Sequence, residues 1–178
     1  MDQQARAQLG SLVLKAQAAT YGVEIPDRIK TLWESGEIFK YDGLVLENAE
    51  LPGRVPGSTR FRVTVPCWLV HGGNGAFDDA IVGPRGEWKK AGVFVPLLAN
   101  ADGVIVARVD NPELPIGWFV EESWRSKAAG FTDGVFMLAP SLDVFLKQLT
   151  PAETVKWDDE GQMGEMLWMI AAEAGGGD

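Results

Sequence analysis

The chain is poor in the residues that most often build chemistry. Its 178 residues include one cysteine and one histidine, and only 16 Lys and Arg stand against 25 Asp and Glu, a formal net charge of −9. Cys67 has no intramolecular partner, so no disulfide can staple the fold, and a reducing compartment is expected. One Cys and one His cannot supply a structural zinc set. A sequence pI near 4.6 repels phosphate backbones, which excludes a nucleic-acid binder held by basic patches. No apolar run reaches the roughly 18 residues a membrane span requires, and Met-Asp-Gln-Gln-Ala-Arg lacks the basic start and apolar core of a secretory signal. These absences predict a soluble cytoplasmic protein with no membrane or direct nucleic-acid partner.

What is present is globular. A composition 46 % hydrophobic and 23 % charged argues against global disorder. A chain this long buries about 70 % of its unfolded surface when folded, enough for one core. The charge is unevenly spread: Glu153 to Asp178 holds seven acids and one base, a net of −6, whereas residues 1–152 carry a net of −3. The expected organisation is one domain over 1–152, followed by an acidic helix and Gly-rich tail over 153–178.

Helical spacing of Leu9, Leu12, Val13 and Ala16 predicts a first helix over 2–20 with Gly22 as its stop. Pro26 suits the first turn of a second helix carrying Ile29, Leu32 and Trp33, which Gly36 ends. Phe61, Val63 and Val65 alternate as in a half-buried strand, continued irregularly over Trp68 to Val70. Val93 to Leu98 and Val104 to Val109 flank Asn100-Ala101-Asp102-Gly103, a β-hairpin with an expected turn of four or five residues, in which Pro96 implies an unpaired position or a bulge. Short strands follow at 117–121 and 134–138. Ser141 then caps a helix carrying Leu142, Phe145, Leu146 and Leu149, which Pro151 closes. Met163, Met166, Leu167 and Ile170 mark a last helix. The expected class is α+β: a mixed or antiparallel sheet of about five to six strands, covered mainly on one face by N- and C-terminal helices.

Chemical motifs are sparse. His71-Gly72-Gly73-Asn74-Gly75 could present backbone N–H groups to an anion, yet no nucleophile elbow, Walker lysine or dinucleotide spacing accompanies it, so a glycine turn explains it more simply. On a strand, Cys67 and His71 would stand about 13 Å apart, too far for a thiol and its base. Cys67 is better read as a small core residue. Asp78-Asp79 has no calcium-loop spacing around it, and Asp158-Asp159-Glu160 suits a helix N-terminus. Glu121 and Glu122, adjacent on a strand, would point to opposite faces and make a poor acid–base dyad. No metal, cofactor or catalytic set is therefore expected. The seven tryptophans say more. Trp33 and Trp68 fit a core, whereas Trp88, Trp118, Trp124, Trp157 and Trp168 sit among charged or turn residues, as do interface anchors and equally rings that plug the edge of a small core with the N–H toward water.

The order of Phe94-Val95-Pro96-Leu97, Asn100-Ala101-Asp102-Gly103, a strand ending at Asp110, the Trp118 strand and Ala139-Pro140-Ser141-Leu142-Asp143-Val144-Phe145-Leu146 resembles the SUKH superfamily of bacterial immunity proteins, which is related to a fungal regulator of cell-wall synthesis. The Ile25-Pro26 helix with Leu32 and Trp33 resembles the family's early helix. Glu50 to Ser58 looks like an insertion relative to that pattern, and the acidic tail has no counterpart in it. The resemblance implies a SUKH-like fold and binding without catalysis: an immunity protein that occludes the active site of a cognate polymorphic toxin, one with a basic cleft. The alternative is a non-catalytic adaptor for an endogenous protein or small ligand. The expected partner-binding residues are Asp78, Asp79, Glu121, Glu122 and Trp124, with Asp158, Asp159 and Glu160 as a second patch.

Overall fold

A computed structural model describes residues 2–47, 60–65, 94–100, 103–119 and 135–151. Helix α1 spans Gln3–Tyr21: the Asp2 carboxylate accepts from Ala5 N at 2.8 Å and so satisfies one orphan amide of the first turn. At the other end Gly22 adopts the left-handed conformation, φ 61°, and returns its N–H to the Ala18 carbonyl. Pro26 precedes α2, Asp27–Glu34, whose Ile29, Leu32 and Trp33 are all fully buried. Gly36, at φ 68°, turns the chain into a 3-10 helix over Glu37–Tyr41. Helix α3, Leu142–Gln148, starts where Ser141 Oγ accepts from Val144 N at 3.2 Å, and it buries Leu142, Phe145 and Leu146.

The strands are β1 (Val45–Glu47), β2 (Arg60–Arg62), β3 (Phe94–Asn100), β4 (Gly103–Arg108), β5 (Ile116–Phe119), β6 (Val135–Ala139) and β7 (Leu149–Thr150). Among the described residues every pairing is antiparallel, in one sheet of order β2-β1-β7 and another of order β3-β4-β5-β6. The α+β class therefore holds, with two sheets where a single one was expected. They meet at one point: Thr64 and Ala99 exchange both backbone hydrogen bonds, at 2.8 and 2.9 Å. Asp42 secures the same corner by accepting from Val65 N at 2.8 Å.

Three local expectations need correction. The hairpin turn is tighter than four or five residues, because Asn100 pairs with Gly103 and only residues 101 and 102 lie between paired positions. Gly103 serves the other side of β4, where a Cβ would overlap the Phe119 carbonyl of β5. The sheet is not covered mainly on one face. Consecutive residues 94–99, 104–107 and 116–119 are all buried, as continuous apolar runs require. Of the stripe Leu9, Leu12, Val13 and Ala16 expected for α1, only Val13 is buried. Gly10, Leu14, Gln17 and Tyr21 are buried with it, and Leu12 stays 54 % exposed.

Gly10 explains that choice. Its missing side chain lets the α1 backbone lie directly on the Trp33 carbonyl of α2. Gln17, fully buried, donates from Nε2 to the Pro96 carbonyl at 2.6 Å. Pro96 brings no N–H to the ladder, and the register slips by one residue between Pro96 and Leu98, leaving Leu97 as a bulge in β3. A polar side chain on the core face of α1 thus satisfies a carbonyl beside the irregularity that Pro96 imposes.

Candidate interaction surface

The strand registers decide which connections share an end of the sheet. Thr64, Ala99, Val104, Phe119 and Val135 form one transverse row. Antiparallel order then fixes the direction in which each chain segment leaves that row. β3 runs toward the hairpin and β4 away from it, β5 runs back toward it, and β6 leaves it again. The 120–134 connection is consequently anchored, through Phe119 and Val135, at the hairpin end. The pairing of Glu47 with Arg60 brings the ends of the 48–59 connection to the same side, since β2 reaches Thr64 and Ala99 by running away from the hairpin. Three connections, 48–59, 101–102 and 120–134, are thus anchored along one edge.

The other two segments leave in the opposite direction. The chain runs away from the hairpin through Thr64 and Val65, and it rejoins the sheet at Phe94, opposite Arg108 at the far end of β4. β7 runs antiparallel to β1, so the chain also heads away from the hairpin at Pro151, although Thr150 stands level with Arg62, two residues to the hairpin side of Thr64.

All eight expected partner-binding residues, Asp78, Asp79, Glu121, Glu122, Trp124, Asp158, Asp159 and Glu160, lie outside the described residues, as do Cys67, His71 and the glycines that follow it. What the described residues fix is their anchoring. Glu121, Glu122 and Trp124 belong to the connection rooted at the hairpin edge. Asp78 and Asp79 belong to the connection that starts at Val65, beside the transverse row, and ends at Phe94 on the far edge, and Asp158, Asp159 and Glu160 follow Pro151. The acidic residues grouped by sequence are therefore borne by segments with different roots.

The hairpin edge is locked by a side chain that the sequence reading placed among surface anchors. Trp118 is only 6 % exposed, and its indole Nε1 donates to Asn100 Oδ1 at 2.9 Å, tying β5 to the last residue of β3. It is a core residue with a satisfied N–H, not a free anchor. Its neighbour Phe119 is buried and leads directly into 120–134. Loops on a rigid sheet end are the usual place for recognition, and this clamp stiffens that end. No sequence signal identified Asn100 as its partner, because the pairing depends on the register across two strands.

Two further polar clusters shape the described surface. Arg28 Nη2 pairs with Asp143 Oδ1 at 2.8 Å and links α2 to α3. That guanidinium holds the Asp143 carboxyl below the usual carboxylate value, by its hydrogen bond first and its charge second. Burial, aided by the charge of Glu37, raises the nearby Tyr41 hydroxyl above its ordinary value. Burial likewise lifts Asp42, against the Val65 N–H and the charges of Arg62 and Arg6 that favour its ionised form. Among the described residues no three His, Cys, Asp or Glu side chains gather as metal ligands, and no helix is long and apolar enough to cross a membrane.

No family model, curated protein or solved structure matches the chain.

Proposed function

We propose that the protein works by binding another protein, as an immunity protein of SUKH-like fold that occludes the active site of a cognate toxin, and that the hairpin edge is the binding face. The observation that carries the reading is the shared rooting of connections 48–59, 101–102 and 120–134 on one edge braced by the Trp118–Asn100 hydrogen bond. Loops gathered on a rigid sheet end supply adaptable contacts at low cost in backbone order. One of them carries Glu121-Glu122-Ser123-Trp124, two acids beside an aromatic that can fill a pocket. The segment that looks like an insertion, Glu50 to Ser58, belongs to the same edge.

The elements that resemble the family are consecutive here: the Pro96 strand, the hairpin, the Trp118 strand and the Ser141-capped helix. The Glu121-Glu122 pair suits a toxin that acts on nucleic acid, because such an enzyme presents a basic cleft and opposite charge speeds the encounter. The test is co-expression with the toxin domain encoded beside this chain, followed by growth and co-purification. The expected result is protection from toxicity with a stable complex. Full toxicity with no complex, for that toxin and those of neighbouring loci, overturns the proposal.

A further inference from the structure

We draw no further inference here: the strongest candidate, the outer apolar face of α1 formed by Leu9, Leu12 and Ala16, is a surface patch for which nothing among the described residues shows what covers it.

Discussion

Replacing Gly10 by Ala sets two physical effects of opposite sign against each other. On an isolated helix the change stabilises, since Ala exceeds Gly in helix propensity by about 1 kcal/mol. Here the added Cβ would overlap the Trp33 carbonyl oxygen and lie 3.2 Å from Trp33 Cα. Those are backbone atoms of α2, so no rotamer change can make room. The helices must separate or slide, which disturbs the packing of Ile29, Leu32 and Trp33, all fully buried. Overpacking of this kind costs about 1–3 kcal/mol, and rigid backbone on the far side places this site at the upper end. The expected net loss is about 1–2 kcal/mol, or roughly 2–8 °C in Tm for a chain of this size. Urea and thermal unfolding of Gly10→Ala beside Ser11→Ala, a neighbouring exposed position on the same helix, measures it. A Gly10→Ala variant as stable as the parent, or more stable, would refute the close approach of α1 to α2.

Three further expectations concern the corner, the ion pair between α2 and α3, and the hairpin edge. Because burial lifts the folded-state value of Asp42 above its ordinary 3.8, the folded chain binds that proton more tightly than the unfolded one. The contribution of Asp42 is thus fully stabilising below the ordinary value and is lost as pH rises through the lifted one. Asp42→Asn keeps an oxygen for Val65 N–H, so urea unfolding should show it at least as stable as the parent at pH 7, with the difference shrinking toward pH 4; a variant less stable at pH 7 than at pH 4, relative to the parent, contradicts this. Asp143 has the opposite sign: its lowered value stabilises above the ordinary range and is lost on acidification. Trp118→Phe removes the donor to Asn100 and should cost about 1–2 kcal/mol, with faster amide exchange at β3 and β4 residues beside the hairpin. Unchanged exchange there would remove the proposed brace.

Much of this fold could be read from residues alone, and the failures have physical causes. Helix α2, the β3–β4 hairpin and α3 follow from local signals that agree with their tertiary setting: a buried stripe closed by Gly36, two apolar runs around Asp102-Gly103, and a Ser141 cap. The span of α1 was equally readable, its orientation was not. Leu9 and Leu12 are the more apolar choice, yet glycine at position 10 permits a backbone approach that no hydrophobic pattern encodes. Strands β1 and β7, of three and two residues, are too short to show a period; Leu149, expected to extend α3, pairs instead with Leu46. Trp118 stays open between anchor and core on sequence alone, because charge near it says nothing of its register partner Ile105, which sits in the centre of the sheet. The candidate site was legible as residue types, but its grouping was not, since the edge to which each connection is rooted follows only from strand direction.

The central claim is that the hairpin edge captures a basic partner through the Glu121-Glu122 pair of its 120–134 connection. Stopped-flow association of the partner with the parent and with the Glu121→Lys, Glu122→Lys double variant, at low and high ionic strength, tests it most directly. Reversing two charges should slow association by about tenfold or more at low salt, and the two rates should converge as screening removes steering. Equal rates at low salt would contradict the account.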